Sequence, residues 1–178
     1  MTLIVEDGSG KSDAESYVTV AEADAYIAKW ALTNNHWPSP YSDTQKEVAL
    51  RTAARFLDLE YRVRYVSRKA HETQALEWPR NGWVTRDMFI INNATVPDAV
   101  KEAQIELAVI LSLGEVVLPV ITGGGVIYEQ NETEVTRKAV RYATPKHYDE
   151  AGNEIKEYPM IERILSPVLH RPGRLDRR

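Results

Sequence analysis

The amino-acid sequence predicts a mainly α fold: a small helical bundle with a projecting polar β-hairpin or arm, then a C-terminal helix and a basic tail. Thr19 and Ser42 each begin a Ser/Thr-x-x-Glu/Gln pattern, which is the spacing of a helix capping box. Apolar residues after Pro97 recur every three to four positions, as on the buried face of a helix. Residues 126–142 are β-prone but strongly polar, which favours an exposed hairpin over a core sheet.

Length and composition predict a soluble globular chain of one domain with appended segments. The 178 residues are 43% hydrophobic and 27% charged, both ordinary values. We expect a helical core over 1–122, a hairpin or extended arm over 123–157, and a docking helix with its tail over 158–178. Because the chain has no cysteine, disulfides and thiolate metal sites are excluded. The start lacks a basic signal-peptide region, and the longest apolar stretch, 107–121, is too interrupted to cross a membrane.

The first two helices are delimited by local signals. The first follows Thr19 and ends before the segment 34–40, where two prolines and two asparagines stop a helix. The second begins after Ser42 and runs to about Tyr61. The residues expected on the inner sides are Ala23, Tyr26, Ile27 and Trp30 in the first helix and Ala49, Ala53, Phe56, Leu57 and Glu60 in the second, with Arg51, Arg55 and Asp58 outside that stripe.

The third and last helices are predicted to open at prolines, which suit the first turn of a helix. The third runs from Pro97 to Gly114, and a short last helix opens at Pro159. The residues expected on their buried sides are Val100, Ala103, Leu107, Ile110 and Leu111 in the third helix, and Ile161, Ile164, Leu165 and Val168 or Leu169 in the last.

The segment between the second and third helices has weaker signals. Residues 62–66 fit either an exposed strand or a frayed helix end, 73–77 fit one helical turn, and 80–83 fit a turn. The segment also holds an aromatic and arginine cluster with two interpretations. It stacks single-stranded bases with arginine on phosphate, or it closes the helical bundle with the arginine paired to an acid. Its residues are Trp78, Pro79, Arg80, Gly82 and Trp83.

Charge is distributed unevenly, although the net charge is only −4. Residues 1–25 carry six carboxylates against Lys11, and residues 170–178 carry four arginines against Asp176. A molecule that is acidic at one end and basic at the other suits head-to-tail contacts between two different patches. The alternative is that both ends are simply solvated.

The segment 8–12, Gly-Ser-Gly-Lys-Ser, matches only part of a phosphate-binding P-loop. That motif requires Gly-x4-Gly-Lys-Ser/Thr, and Val5 occupies the position of the first glycine. Asp13 and Glu15 add negative charge where phosphate would lie, and no apolar helix begins before Thr19. A turn-rich loop explains the segment better than an ATP site.

No residue pattern predicts an enzyme. Neither His-Glu-x-x-His nor Gly-x-Ser-x-Gly occurs in the sequence. The histidines lie far apart and share no helix face, so they are not expected to bind a metal. We therefore expect no catalytic residue, no metal and no cofactor. The four histidines are His36, His71, His147 and His170.

Four segments carry a resemblance to a known family. They are 4–10 with 16–26, then Thr-Gln-Ala-Leu-Glu-Trp-Pro-Arg at 73–80, Val-Pro-Asp-Ala-Val-Lys at 96–101, and Tyr158-Pro159. Together they make the chain resemble phage head–tail connectors, the adaptor or head-completion proteins that dock beneath the portal. Similar sequences are also described as DnaT-like single-stranded-DNA-binding proteins, which gives the alternative function.

The connector resemblance implies a structural protein of the virion neck, made in the cytoplasm of the host bacterium. It implies a ring, commonly twelve-fold, that extends the portal channel and lets double-stranded DNA pass without sequence-specific binding. The implied partners are further copies of the chain, the portal protein and a downstream neck or tail-completion protein, with no membrane. The expected portal contacts are Ile164, Leu165, Leu169, Arg171, Arg174, Arg177 and Arg178, and the expected inter-subunit or channel contacts are Tyr128, Glu129, Glu132, Arg137 and Lys138.

Overall fold

The fold is mainly α, as predicted from the sequence. The computed structural model describes residues 3–30, 36–82, 84, 89–90, 92–114, 147–148, 154–155 and 158–170. None of the helices in these ranges combines the length and the apolar character that a bilayer crossing requires. In chain order, the elements are α1 (Val20–Trp30), α2 (Asp43–Tyr61), β1 (Arg68–Lys69), β2 (Arg80–Asn81), α3 (Asp98–Ser112), β3 (His147–Tyr148), β4 (Glu154–Ile155) and α4 (Pro159–Leu165).

Both predicted capping boxes are present at the starts of α1 and α2. The Glu22 N–H donates to the Thr19 hydroxyl (3.1 Å), and the Thr19 N–H donates to the Glu22 carboxylate (2.7 Å). The Gln45 N–H donates to the Ser42 hydroxyl (3.3 Å), and the Ser42 N–H donates to the Gln45 side chain (2.9 Å). Each box satisfies N–H groups that the first helical turn leaves without a partner. α2 also ends at Tyr61, where the sequence predicts its end.

The helix α3 lies at the centre of the bundle and packs against α1, α2 and α4. Because neighbours cover several of its sides, its buried surface is wider than the predicted single stripe. Ile110 and Leu111, which the sequence places inside, are only half-buried. The buried residues of α3 are Val100, Ala103, Gln104, Ile105, Glu106, Leu107, Ala108 and Val109.

A buried glutamine joins α3 to the segment that precedes α1. Gln104 is 0% exposed. Its side-chain oxygen accepts from the Tyr17 N–H (2.9 Å), and its amide donates to the Ser16 hydroxyl (2.7 Å) and the Leu50 carbonyl (2.9 Å). The first of these bonds gives the buried Tyr17 N–H an acceptor. Gln104 thus fixes the N-terminal segment on α2 and α3.

The chain between α2 and α3 forms turns and a short antiparallel pair. In this pair, β1 lies beside β2 with Lys69 opposite Arg80. The predicted helical turn at 73–77 is wrong. The Gln74 side chain accepts from the His71 N–H (2.9 Å) and donates to the Leu76 carbonyl (2.8 Å), which holds the backbone in bends instead.

The chain divides into two compact units, one of 1–115 with 159–178 and one of 116–158. In the first unit, α4 packs on α3. In the second unit, β3 and β4 pair antiparallel. The hairpin predicted over 126–142 lies outside the described residues. In the first unit, the buried side chains of α4 and of the turn that follows it are Ile161, Leu165, Val168 and Leu169.

Candidate nucleic-acid interface

The outer side of α2 lines an open cleft of about 530 Å³. Arg51, Arg55 and the C-terminal cap Arg62 follow at intervals of four and seven residues, which places them on one side of the helix. Lys69 of β1 adds a fourth cation from across the opening. We call the opening bordered by Arg51, Arg55, Arg62 and Lys69 the basic cleft. Its other lining residues are Ala14, Glu15, Asp58, Leu59, Ala75, Leu76 and Glu77.

The four cations of the basic cleft differ in their partners. Arg51 pairs with Glu15 at 2.9 Å, and Lys69 pairs with Glu77 at 3.4 Å. Arg55 and Arg62 are exposed, and neither forms an ion pair with another residue in the described ranges. A guanidinium presents several N–H donors in one plane, which matches the oxygens of a phosphate or carboxylate. The cleft can therefore bind an anion without breaking an internal ion pair.

A buried hydrogen-bond network holds the floor of the cleft. The Tyr17 hydroxyl donates to the Asp58 carboxylate (2.5 Å), and the Glu77 N–H donates to the other oxygen of the same carboxylate (3.0 Å). The Glu77 N–H also reaches the Tyr17 oxygen, at 3.0 Å. Tyr17 is 0% exposed. The network fixes the segment before β2 against α2, so that the cleft has a defined shape.

Burial raises the pKa of Asp58 to about 7, although its hydrogen bonds with Tyr17 and Glu77 act in the opposite direction. The native chain therefore holds a proton that the unfolded chain, with an Asp58 pKa of 3.8, releases. Between these two values, the contribution of Asp58 to the free energy of unfolding falls as pH rises.

We expect Asp58→Asn to gain stability relative to the unchanged chain as pH rises from 4 to 7. The relative gain has an upper limit of about 1.4 kcal/mol per pH unit, because one proton is involved. Urea denaturation of both proteins across this range measures the difference, and carboxylates common to both cancel. A difference that stays constant with pH would show that the native carboxyl does not hold the proton.

The Gly-Ser-Gly-Lys-Ser segment binds its own carboxylate instead of a phosphate. The N–H groups of Gly8, Gly10 and Lys11 donate to the side chain of Glu6 at 2.8, 2.9 and 2.8 Å. Glu6 is only 2% exposed. The loop thus has the converging N–H groups of an anion site, but an internal anion occupies them. The Glu6 carboxylate thus takes the place that a phosphate would take in a complete motif.

The aromatic and arginine cluster is structural where the structure describes it. Trp78 is 0% exposed and packs edge-on against Tyr65, with ring centroids 5.6 Å apart. Arg80 is 7% exposed, and its guanidinium donates to the Glu77 carboxylate (2.8 Å) and the Ser67 carbonyl (2.8 Å). Neither side chain can stack on a base without leaving the core. The cleft, and not this cluster, presents free cations.

Of the residues predicted to contact a portal or a neighbouring subunit, the structure describes Ile164, Leu165 and Leu169. Ile164 is half-buried, whereas Leu165 and Leu169 are buried in the bundle. These two leucines pack within their own chain. The remaining predicted contacts lie outside the described residues; they are Tyr128, Glu129, Glu132, Arg137, Lys138, Arg171, Arg174, Arg177 and Arg178.

Arg62 and Lys69 did not stand out as site residues in the sequence. The available signal was the repetition of arginine on the outer side of α2, at Arg51, Arg55 and Arg62. Lys69 reaches the cleft because β1 pairs with β2, and no pattern in the sequence indicated this position. In the part of the chain that the structure describes, no three histidine or acidic side chains are grouped so as to hold a metal ion. The exposed guanidinium groups of Arg55 and Arg62 are able to attract an anion.

Comparison with known proteins gives one result that bears on this surface. None of the curated proteins and none of the solved structures compared with the chain matches it. A family model does match, over residues 1–177. Its description names single-stranded DNA and does not refer to a phage neck. The chain therefore belongs to the family described as "Putative DnaT-like ssDNA binding protein".

Proposed function

We propose that the chain binds single-stranded DNA without sequence preference, with phosphates held in the basic cleft. The observation that carries the proposal is the presence of two exposed arginines, Arg55 and Arg62, that have no ion-pair partner among the described residues. The family description supports the same ligand. The proposal assigns no catalytic residue and no cofactor.

Local charge, and not net charge, must provide this binding. The whole chain has a net charge of −4, so it has no general attraction for a polyanion. Guanidinium–phosphate contacts are the same for every nucleotide and carry no sequence information. Binding through such contacts is therefore independent of sequence and sensitive to salt.

The test is the salt dependence of binding to a labelled oligothymidylate. Each phosphate contact on a single strand contributes a slope of about −0.7 in log affinity against log salt. If Arg55 and Arg62 alone engage phosphate, we expect about −1.4, and if all four cations do, about −3. Fluorescence anisotropy over a range of salt concentrations measures the slope. Absence of binding even at low salt would refute the proposal.

A second candidate function is the phage-neck adaptor, a ring beneath the portal in the virion. The resemblance of the segments 4–10, 16–26, 73–80, 96–101 and 158–159 favours it. The net charge of −4 favours it too, because a DNA channel should not hold phosphate tightly. An adaptor should sediment as a ring, alone or with portal protein, and should bind little free DNA. Sedimentation and the salt titration together separate the two candidates.

A further inference from the structure

Two exposed aliphatic side chains lie at the C-terminal end of α2, one in the last turn of the helix and one just after it. Leu59 lines the cleft and is 58% exposed, and Val63, four residues further on, is 79% exposed. We call Leu59 and Val63 the apolar stripe. Arg55 precedes Leu59 by four residues and the cap residue Arg62 follows it by three, so the two cations lie on the same side of α2 as Leu59, where all three line the cleft. A ligand at this place would meet apolar side chains and unpaired cations side by side.

A surface that combines cationic and apolar side chains favours some ligands over others. The occupant must be anionic, to pair with Arg55 and Arg62, and must also present apolar area to Leu59 and Val63. A single strand of DNA has both properties, because its phosphates are charged and its unpaired bases expose their faces. A duplex has the phosphates alone, since its base faces are stacked inside.

We infer that the apolar stripe receives the bases of a strand whose phosphates lie in the basic cleft, and that it makes the site prefer single-stranded over double-stranded DNA. This inference rests on the proposed function and adds the residues that determine strand preference. Because Leu59 borders the cleft itself, a base attached to a bound phosphate can reach it. Aliphatic side chains contact all four bases alike, so the preference concerns strandedness and not sequence.

The experiment compares the unchanged chain with one double variant, which carries both Leu59→Ser and Val63→Ser. The probes are a labelled oligothymidylate and a labelled duplex of the same length. We expect the affinity for the single strand to fall about tenfold, while the affinity for the duplex changes less than twofold. The salt slope should stay the same, because no phosphate contact is removed.

A matched control is available on the same helix. Val48 is 55% exposed but does not line the cleft, and it lies about 16 Å along the helix axis from Leu59. Val48→Ser should leave both affinities unchanged. Since all three side chains are exposed, the variants should melt at the temperature of the unchanged chain, which circular dichroism checks.

Each other outcome overturns the inference in a recognisable way. If the double variant binds the single strand as tightly as the unchanged chain, or loses both DNA forms equally, then the stripe does not set strand preference while the proposed function stands. If Val48→Ser loses as much affinity for the single strand as the double variant does, the stripe likewise does not set strand preference. If the unchanged chain binds no DNA, the proposed function fails together with the inference. If the unchanged chain self-associates and the double variant is monomeric, then the apolar stripe is a contact between copies of the chain and the inference is wrong.

Discussion

Replacing Arg55 and Arg62 together by glutamate should lower the affinity for single-stranded DNA by about a hundredfold or more. Each arginine can supply a charge-assisted hydrogen bond, worth about 1.5–3 kcal/mol, and each glutamate adds repulsion toward phosphate. The salt slope should also become less negative by about 1.4, since two phosphate contacts are lost. Fluorescence anisotropy with an oligothymidylate measures both quantities.

The fold should tolerate this double replacement. Both arginines are exposed, and neither has an ion-pair partner among the described residues, so stability should change by less than about 1 kcal/mol. A matched control is Lys101→Glu with Arg163→Glu, which makes the same change in net charge away from the cleft-lining residues. If the control weakens binding as much as the cleft variant, overall charge and not the basic cleft governs DNA binding.

Glu6→Ala should destabilise the fold by about 3 kcal/mol. The N–H groups of Gly8, Gly10 and Lys11 all donate to this carboxylate, and truncation leaves them without an acceptor. The loop cannot easily rearrange, because Gly8 lies against the backbone at Ala94: a Cβ added to it would come within 2.0 Å of the Ala94 carbonyl oxygen. Urea denaturation, with the slope held common to both proteins, gives the difference in the free energy of unfolding.

Two variants in the same loop provide controls for Glu6→Ala. Asp7→Ala removes a neighbouring carboxylate that is 61% exposed, and Lys11→Ala removes the cation that pairs with it at 3.0 Å. Each also removes one hydrogen bond to the loop backbone, since Asp7 accepts from the Ser9 N–H at 3.1 Å and Lys11 donates to the Val5 carbonyl at 2.8 Å. Both should therefore cost clearly less than Glu6→Ala, which removes three such bonds. A loss in Glu6→Ala no larger than in Asp7→Ala would mean that the N–H groups find water and that Glu6 does not hold the loop together.

Only some residues of the basic cleft could be predicted from the sequence. The sequence separated Arg51, Arg55 and Asp58 from the inner stripe of α2, and the structure places all three at the basic cleft. It did not distinguish the partnered Arg51 from the free Arg55, because ion pairs with Glu15 and Glu47 depend on tertiary packing and on helix spacing respectively. The ambiguous cluster at Trp78 required burial to settle it, since the same residue types occur in cores and on nucleic-acid surfaces.

By itself, the sequence determined the fold class and most helix boundaries. The boxes at Thr19 and Ser42, the proline at Pro97 and the glycine at Gly114 act through hydrogen bonds and dihedral angles within a few residues, so local pattern is sufficient.

The tertiary structure alone decided which polar groups are buried and which cations are free. Glu6 fills the glycine-rich loop, Gln104 joins three segments, and Asp58 lies beneath the cleft with Tyr17. The partners in the last two cases lie 41 to 88 residues apart in the chain. Burial and pairing over such separations depend on how helices pack, which local spacing does not specify. The proposed binding surface therefore depends on tertiary packing, whereas the helices that carry it are specified by short-range signals.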